Sequence, residues 1–335
     1  MTKISIAKIT PDMIASMLEM PLSEVWRYAR TTERHYKPTE KRVVNGKERE
    51  FDVPKYYFKP FTKKLHTVLK RLDLFHASAH GGVKEHSSQT SAKRHCGKTS
   101  KFTRDIKNCF PSTTPDMIRN ELCRAGFLSE TARLLSLLLT VRGRVPQGAS
   151  TSTDAINLLF LRMDRQISRL CKEAGFAYTR YVDDCVISGK DTALGKQLTK
   201  ALENEIESIG LIVNQKKSKN MIVSEDKQYV HGLLVHRLGG TMIDSKKKRV
   251  ALEVAKNYLD HCRKLTPASI SETISLRKKL LGHCSYFKSA TFSISKHLKK
   301  QLKDGDRVAL RRMASCNIQC EDGKWWKSPV RAIHD

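Results

Sequence analysis

The stretch Tyr181-Val182-Asp183-Asp184 places two adjacent carboxylates between two β-prone runs. Aromatic and β-branched residues precede the aspartates from residue 178, and apolar residues follow them to residue 187. Such residues on both sides of a two-residue polar break predict a β-hairpin with Asp183 and Asp184 at its tip. Two negative charges held together at a tight turn are costly unless a cation lies nearby. Because paired aspartates also occur on ordinary solvated turns, the residues upstream decide between a cation site and a plain turn.

A third carboxylate, Asp105, ends a short strand predicted over residues 101–106. Helices predicted over 115–125 and 130–141, and a long helix through 156–167, separate this strand from the hairpin. This order predicts an α+β fold in which three carboxylates lie at strand ends of an antiparallel sheet backed by helices. Three converging carboxylates would form a magnesium site, since Mg²⁺ prefers oxygen ligands and shares its other positions with substrate phosphates. A pair of such ions can activate a hydroxyl group and stabilise the leaving oxygens of a phosphoryl displacement.

The charge balance predicts a polyanionic partner. Lysine and arginine number 62 against 34 acidic residues, which gives the 335-residue chain a formal net charge of +28. Nucleic acid is the first candidate for this charge and a membrane surface is the second. No apolar run approaches the roughly 20 residues that span a bilayer, and the N-terminus carries no signal-peptide pattern. The nine cysteines follow no paired spacing. We therefore expect a cytoplasmic protein with reduced thiols and no membrane partner.

A second hairpin is predicted around Asn45-Gly46, a dipeptide that is a strong turn signal between β-prone residues. On its second strand, Lys47 and Arg49 share one face while acidic residues occupy the other. A basic face of this kind can hold phosphate groups. The alternative is a solvated edge strand that its charges protect from aggregation.

Three further segments carry weaker signals. Residues 76–100 show no helical or strand periodicity over most of their length, which predicts a functional or disordered loop. Residues 230–235 are predicted to form a strand. Lysine- and arginine-rich helices follow, and in a chain this basic they favour a separate nucleic-acid-binding domain. These helices are predicted over 250–264, 270–287 and 294–303.

Four stretches in a fixed order make the sequence resemble reverse transcriptases. Arg49-x-Phe51-x-x-Pro54-x-x-x-Phe58-Lys59 resembles the first finger motif of these enzymes. Residues 102–112 (Phe-Thr-Arg-Asp-Ile-Lys-Asn-Cys-Phe-Pro-Ser), 145–149 (Val-Pro-Gln-Gly-Ala) and 181–184 resemble their successive palm motifs. Ordered matches are far more specific than any single motif. The resemblance covers about residues 40–310.

This resemblance implies a right-hand polymerase fold with fingers, an antiparallel-sheet palm and a helical thumb. The corresponding segments are an N-terminal helical extension (1–37), the fingers (38–100), the palm with finger insertions (101–244), the thumb (245–310) and a C-terminal tail (311–335). The sequence assigns no role to the two terminal segments.

The resemblance also implies roles for single residues. Asp105, Asp183 and Asp184 are implied to be catalytic and to bind two Mg²⁺ ions. The backbone carbonyl of Ile106 is implied as a further metal ligand. Phe110 is implied to be the steric gate, whose ring fills the space that a ribose 2′-hydroxyl needs, so that deoxynucleotides are preferred. A plain core aromatic is the alternative for Phe110.

The implied nucleotide pocket draws on residues from several segments. Gln147 and Gly148 would shape it, with the glycine allowing close approach of the backbone. Lys47 and Arg49 would hold the triphosphate. Lys217 is a candidate proton donor to the pyrophosphate, and a solvated surface lysine is the alternative.

Among reverse transcriptases, the sequence most resembles bacterial retron enzymes. His76-Ala77-Ser78-Ala79-His80 lies where those enzymes carry Asn-Ala-x-x-His, and Val230-His231-Gly232 lies where they carry Val-Thr-Gly. His76 and His231 depart from these signatures. Both segments are implied to contact RNA or primer, through His76, His80, Val230, His231 and Gly232.

The implied function is that of a retron RNA-directed DNA polymerase. It would use dNTPs to copy part of a cognate structured non-coding RNA, which serves as template and primer, into RNA-linked single-stranded DNA (msDNA). The family also implies an effector protein and a role in anti-phage defence. One alternative is another bacterial reverse transcriptase, of the group II intron-like or defence-associated kind. A non-catalytic RNA-binding subunit is the other.

Overall fold

The computed structural model describes residues 5–44, 46–222, 228–235, 241–243, 245–288 and 292–315. Asn45 of the predicted turn and parts of both predicted terminal segments lie outside the described residues. The contacts divide the chain into two compact units. One comprises Met1–His231 with Val235–Gly240, and the other comprises Gly232–Leu234 with Thr241–Asp335. The assignment of fingers, palm and thumb stays a prediction.

The described helices and strands are numbered along the chain. The helices before residue 231 are α1 (Pro11–Met17), α2 (Leu22–Arg30), α3 (Lys59–Arg71), α4 (Ser88–Lys93), α5 (Cys109–Ser112), α6 (Pro115–Arg124), α7 (Ser129–Leu138), α8 (Ser152–Leu159), α9 (Leu161–Glu173) and α10 (Thr192–Ile209). Those after it are α11 (Ser245–Arg263), α12 (Ile270–Lys288) and α13 (Phe292–Ser315). The strands are β1 (Glu40–Val44), β2 (Lys47–Phe51), β3 (Ser100–Asp105), β4 (Ala177–Tyr181), β5 (Asp184–Gly189), β6 (Lys219–Ile222), β7 (Gln228–Val230), β8 (Leu233–Val235) and β9 (Thr241–Ile243).

The sheet at the centre of the first unit has the strand order β4-β5-β3-β6, and neighbouring strands run antiparallel. Its two middle strands carry aromatic and β-branched residues that are fully buried, among them Phe102 and Ile187. Helices α9 and α10 pack on this sheet. The register places Asp105 of β3 directly opposite Asp184 of β5. The predicted α+β fold, with an antiparallel sheet backed by helices, is confirmed.

Several helix ends follow the signals read from the sequence. The side chains of Thr10 and Thr114 accept hydrogen bonds from the backbone of Met13 and Met117, as N-cap residues do. Gly210 ends α10 in the left-handed conformation, with a φ of +95°. Apolar side chains of α1, α2 and α7 belong to the same core as the central sheet. The N-terminal helices are therefore an integral part of the first unit.

Two predicted elements are wrong in detail. The long helix through 156–167 is two helices, because the backbone at Phe160 has a ψ of 6° and separates α8 from α9. Hydrogen bonds of the helical type continue on both sides of Phe160, so the break is a kink. The strand over 230–235 is interrupted at His231-Gly232, where both residues have positive φ and form a turn between β7 and β8.

The predicted loop over 76–100 contains the short helix α4. A capping box fixes its start, because the side chains of Ser87 and Thr90 each accept a hydrogen bond from the other residue's backbone. The helix has only six residues, which is too short for helical periodicity to appear in the sequence.

The hairpin between β4 and β5 has a two-residue loop, Val182-Asp183. Tyr181 pairs with Asp184 across this loop. The prediction that both aspartates lie at the tip is therefore wrong, since Asp183 lies in the loop and Asp184 begins β5. Val182 has a φ of +60°, a conformation that glycine favours in such loops and that costs a β-branched residue about 1–3 kcal/mol. Contacts with surrounding residues must therefore stabilise this backbone conformation of Val182.

A buried ion pair provides such contacts. Nη2 of Arg180 lies 2.6 Å from Oδ2 of Asp164, and both side chains are fully buried. Nη1 of Arg180 donates to the carbonyl of Val182 at 2.7 Å. The hydroxyl of Tyr178 donates to Asp164 at 2.8 Å, and burial together with this carboxylate raises the pKa of Tyr178. The pair thus ties helix α9 to the loop that carries Asp183.

The second unit contains α11, α12 and α13, which pack against one another. Arg277 of α12 donates to both carboxylate oxygens of Asp306 of α13, each at 2.8 Å. Tyr258 of α11 hydrogen-bonds to the same carboxylate, so one buried cluster joins all three helices. The three predicted basic helices are confirmed, and the last extends to Ser315. Within the described residues, we find no helix both long and apolar enough to cross a bilayer.

The buried pair of Arg180 and Asp164 generates a stability prediction. Asp164→Leu leaves the guanidinium of Arg180 buried without its counter-ion, which is expected to lower the free energy of unfolding by about 3–5 kcal/mol. The double change Asp164→Leu/Arg180→Met removes the uncompensated charge and is expected to be less destabilising than the single change. Urea unfolding followed by circular dichroism measures both.

The matched control is Glu24→Gln, which breaks an exposed pair with Arg27 on α2. We expect this variant to unfold at the wild-type midpoint, because exposed pairs contribute little. A double variant less stable than Asp164→Leu would contradict the role assigned to the buried pair.

Candidate active site

The three predicted aspartates lie together at one end of the central sheet. Asp105 faces Asp184 across β3 and β5, a position where like charges are destabilising. The backbone N–H of Ile106 donates to the carbonyl of Asp183 at 2.9 Å, so the residue after Asp105 is joined to the loop. The pKa of Asp183 is raised by burial and by the carboxylates of Asp105 and Asp184. The three groups therefore form one electrostatically coupled acidic cluster.

The turn after α10 places Lys217 beside the carboxylate of Asp105. Nζ of Lys217 lies 2.7 Å from Oδ2 and 3.0 Å from Oδ1 of this carboxylate. The side-chain amide of Asn214 donates to Oδ1 at 2.9 Å, and its backbone N–H donates to the carbonyl of Asp105 at 2.7 Å. The lysine side chain is half exposed, whereas the aspartate is mostly buried. Lys217 thus supplies positive charge to the cluster from the solvent side.

His231 forms a hydrogen bond with the carboxylate of Asp184. Its Nδ1 lies 2.9 Å from Oδ2 of Asp184, and its Nε2 lies 2.8 Å from Oγ of Ser91 on α4. The imidazole is buried and its ring centroid is 5.3 Å from that of Tyr181. Since a carboxylate oxygen accepts, Nδ1 donates to Asp184, and Nε2 shares a hydrogen bond with the hydroxyl of Ser91.

This contact continues as a chain of buried hydrogen bonds. Ser91 shares a hydrogen bond with Thr179 of β4 at 2.7 Å, and Thr179 shares one with Nε2 of His95 at 2.7 Å. Nδ1 of His95 shares one with Ser188 of β5, also at 2.7 Å. If every donor points toward Asp184, each hydroxyl in the chain donates once. Burial lowers the pKa of His95 well below its ordinary value, which agrees with a neutral ring.

A cavity of about 380 Å³ opens beside the acidic cluster. Basic, aromatic and acidic side chains line it together, an arrangement suited to a charged substrate that also carries a ring. The lining residues are Thr103, Asp105, Asp184, Lys217, Lys219, Met221, Tyr229 and His231.

The residues of the acidic cluster fit a divalent-cation site in their chemistry but not fully in their arrangement. Carboxylate oxygens are the ligands that Mg²⁺ prefers, and the mutual repulsion of Asp105, Asp183 and Asp184 favours a cation. Within the described residues, however, no group of three or more acidic, histidine or cysteine side chains is gathered closely enough to hold a metal. Lys217 and His231 each contact one of these carboxylates.

The segment with the predicted RNA signature lies beside the acidic hairpin. Ala79 forms a parallel bridge with Arg180 of β4, and the backbone N–H of His80 donates to the carbonyl of Arg180 at 2.7 Å. A Cβ at Gly81 would lie 2.5 Å from a side-chain atom of Val182, so only glycine permits this approach. His76 accepts a hydrogen bond from the backbone of Ser78 at 3.2 Å.

His80 is buried within that segment. Its Nδ1 shares a hydrogen bond with Thr90 at 2.7 Å, and its ring stacks on His86 at a centroid distance of 4.4 Å. Burial, followed by the charge of His86, lowers the pKa of His80 to about 4. This position suits a residue that holds the segment on the hairpin better than one that contacts RNA directly.

Of the predicted nucleotide-pocket residues, Lys217 lines the cavity described above, whereas the others lie on other elements and do not belong to its lining. Gln147 accepts a hydrogen bond from the backbone of Asp52, and Gly148 has a φ of +120°, which favours glycine. The buried carboxylate of Asp52 contacts Arg142 at 2.9 Å and Arg144 at 3.1 Å. The turn that carries Gln147 is thereby fixed to the end of β2. Phe110 is half-buried on α5 and packs against the core.

The predicted phosphate-binding hairpin is confirmed as a hairpin. β1 pairs with β2 in antiparallel register, and Arg42 lies directly opposite Arg49. Lys47 lies opposite Val44 near the turn, and both basic side chains on β2 are exposed. Arg42 pairs with the carboxylate of Glu40 on β1, which offsets part of the repulsion between the two facing arginines.

The last predicted residues flank the turn after β7. Val230 is buried, whereas His231 and Gly232 form the turn with φ values of +48° and +73°. The carbonyl of Gly232 accepts from Nζ of Lys247 at 3.0 Å within the second unit.

Sequence reasoning missed the residues that support the site. Asp164, Arg180, Ser91, Thr179 and His95 lie on four different segments, which the buried ion pair and the hydrogen bonds join. The one signal available for Arg180 was a charged residue inside a strand that is otherwise apolar or aromatic. Nothing in the spacing of the others indicated that they would meet.

The buried histidines generate a prediction for stability against pH. His80 and His95 have pKa values below the ordinary 6.5, so the unfolded chain binds protons that the folded chain does not. Stability is therefore expected to fall as pH drops below about 6.5, by up to roughly 1.4 kcal/mol per pH unit for each histidine. Urea midpoints between pH 7.5 and pH 5 measure this loss.

In the same range, His95→Gln is expected to show a shallower loss of stability with falling pH, whatever its stability at neutral pH. A profile for this variant as steep as that of the wild type would show that His95 titrates normally in the folded state.

Comparisons with known proteins agree with this architecture. Residues 37–253 match the family model described as reverse transcriptase (RNA-dependent DNA polymerase). The retron Mx162 and Mx65 reverse transcriptases of Myxococcus xanthus are 31% and 27% identical, each over 63% of this chain and over 49% and 54% of their own length. The chain thus spans about half the length of these relatives.

One solved structure shares the fold with a TM-score of 0.51 at 14% identity. It is the telomerase of Candida tropicalis in complex with a TWJ fragment of telomeric RNA, and the match covers 89% of this chain and 58% of that one. The retron relatives confirm the resemblance read from the sequence motifs. Because the family model spans well over half of the chain, the chain belongs to the reverse transcriptase (RNA-dependent DNA polymerase) family.

Proposed function

We propose that this chain is an RNA-directed DNA polymerase that extends a primer with dNTPs by phosphoryl transfer. The observation that carries the proposal is the placement of Asp105 opposite Asp184, with Asp183 in the adjoining loop, in a chain of this family. Asp105, Asp183 and Asp184 would hold two Mg²⁺ ions, with the carbonyl of Ile106 as a further ligand. When bound, these ions supply activation of the primer hydroxyl and stabilisation of the leaving oxygens.

Lys217 would have two positions in this reaction. It neutralises Asp105 in the structure described here, at 2.7 Å. Released from this contact, the ammonium group would be able to face the leaving pyrophosphate and to donate a proton to it. A half-exposed lysine on a turn can make this movement without disturbing the core.

The nucleotide would be held by residues on neighbouring segments. Lys47 and Arg49 would bind the triphosphate, since both side chains are exposed on one face of the hairpin. Gln147 and Gly148 would border the pocket. Phe110 would act as the steric gate against a 2′-hydroxyl.

The nucleic acid would contact several segments of the chain. His76, His80, Val230, His231 and Gly232 are proposed to lie in the RNA- and primer-binding segments. The helices α11 to α13 would serve as the thumb and grip a hybrid duplex through its phosphates, which requires no base recognition. Residues 38–100 and 101–244 would be the fingers and palm, and 245–310 the thumb.

We further propose that the enzyme is of the retron type. It would copy part of a cognate structured non-coding RNA into RNA-linked single-stranded DNA (msDNA). It would act in the cytoplasm with an effector protein in anti-phage defence. Similarity to named retron reverse transcriptases supports this proposal, although the chain spans only about half of their length.

Removal of one carboxylate tests the polymerase proposal. Asp183→Asn is expected to lower primer extension on an RNA template at least about 100-fold, because it removes a ligand of metal ions that supply several kcal/mol of transition-state stabilisation. RNA affinity is expected to stay near the wild-type value. Gel-based extension assays and fluorescence anisotropy measure the two quantities.

Asp116→Asn is the matched control, since Asp116 lies exposed in the first turn of α6. It is expected to extend primers at the wild-type rate. If the wild type binds RNA yet neither it nor any variant extends a primer with Mg²⁺, the chain is a non-catalytic RNA-binding subunit.

The product distinguishes the retron type from other reverse transcriptases. The protein is incubated with the structured RNA encoded beside its gene, dNTPs and Mg²⁺. DNA that remains attached to RNA until RNase treatment is the expected product. Efficient extension of an added DNA primer on unrelated RNA, without an RNA-linked product, would favour another reverse transcriptase.

A further inference from the structure

Two neighbouring tyrosines project from the segment between β2 and α3. Tyr56 has 82% of its surface exposed and Tyr57 has 49%. Most large aromatic side chains of the described chain are buried, so two adjacent exposed rings are unusual. They lie in the run Lys55-Tyr56-Tyr57-Phe58-Lys59, where lysines flank the aromatic residues on both sides.

A buried aromatic stack supports these rings. Tyr57 meets Tyr56 edge to face at 5.6 Å and His35 at 6.0 Å between ring centroids. His35 stacks on Phe58 at 4.7 Å, and Phe58 stacks on Phe61 at 5.0 Å. Phe58 is 2% exposed, so the exposed pair rests on the core of the first unit.

The backbone of the segment is also held in place. Lys55 donates to the carbonyl of His35 at 2.9 Å, and Lys37 donates to the carbonyl of Val53 at 2.9 Å. Pro54 forms a bridge with Tyr36. Because the segment is already ordered, a ligand that packs on the rings does not have to order it.

The surroundings of the rings are positive. The side chains of Arg34, Lys37 and Lys59 are exposed. Burial, and then the charges of Lys55, Arg27 and Arg34, lower the pKa of His35. Of the acidic groups nearby, Glu33 and Asp52 both form ion pairs with Arg142. The surface therefore combines aromatic faces with exposed cations.

We propose that Tyr56 and Tyr57 form a platform on which unpaired bases of single-stranded RNA stack while the surrounding cations hold the phosphates. Aromatic side chains in a positive groove bind single strands in this way without sequence preference, because every base has a stacking face. An acidic protein segment would also match the charge, but it would not need two exposed ring faces. This platform rests on the proposed function, because it assigns a binding surface to the RNA strand. RNA binding to it is measured in the absence of DNA synthesis.

The test compares two RNA probes on the full chain. One is a short unstructured oligoadenylate, and the other is an abasic strand of the same length. Tyr56→Ala/Tyr57→Ala is expected to lower the affinity for oligoadenylate about 5-fold or more for each stacked base. Its affinity for the abasic strand, and the slope of affinity against salt concentration, are expected to stay at the wild-type values, since the phosphate contacts are intact.

Two controls isolate stacking. Tyr56→Phe/Tyr57→Phe keeps the rings and is expected to keep the affinity for oligoadenylate. Leu128→Ala removes another exposed apolar side chain, 45% exposed before α7, and is expected to change nothing. Three results would each overturn the platform. The alanine variant could lose equal affinity for both strands, or keep its affinity for oligoadenylate. The phenylalanine variant could lose as much affinity as the alanine variant.

The readouts separate this inference from the proposed function. Primer extension by the wild type is measured in parallel. If it extends primers but the alanine variant binds oligoadenylate normally, the platform is wrong and the polymerase stands. If stacking is found but no extension occurs, the polymerase proposal fails and the platform stands.

Discussion

Mutual repulsion among Asp105, Asp183 and Asp184 is the constraint on which the rest of the site depends. Two of these carboxylates face each other across adjacent strands, and the third lies in the loop between β4 and β5. Such an arrangement is unfavourable unless positive charge or hydrogen-bond donors surround it. Lys217 and Asn214 donate to Asp105, and His231 contacts Asp184. These neighbours lessen the repulsion of a cluster whose geometry favours a cation.

The backbone that carries the cluster is under strain and is held by polar groups. Val182 adopts a conformation unfavourable for a β-branched residue, and Arg180 bonds its carbonyl while pairing with Asp164. A buried charge of this kind does not in itself stabilise a fold, because desolvation offsets much of the attraction. The pair instead fixes the geometry of the site, since the rigid guanidinium of Arg180 holds the loop at Val182 relative to α9.

His231, which lies where the retron signature has a threonine, gives this chain a connection through two separate ring nitrogens. Its two ring nitrogens join Asp184 to Ser91, 2.9 Å and 2.8 Å away. A threonine hydroxyl lies close to the backbone and offers a single oxygen. Through Ser91 the connection reaches Thr179 and His95, so that a segment without sequence periodicity becomes part of the support of the acidic cluster. Such chains of buried hydrogen bonds are cooperative and sensitive to the loss of any member.

The sequence by itself determined the order of most elements, the α+β class and the family, because each depends on local patterns. Helix caps at Thr10 and Thr114, the β-prone runs around Asp183 and the ordered motifs are all properties of neighbouring residues. Net charge likewise required no structure to indicate a polyanionic partner.

Only the tertiary structure decided which residue lies at the tip of the hairpin, where the strand after Val230 turns, and which polar side chains support the aspartates. The turn at Val182 depends on contacts with Arg180 and Gly81, and the hydrogen-bond chain joins residues 84 to 140 positions apart. Contacts between distant segments leave no periodic mark on the chain, because the partners meet only once the core has brought their elements together.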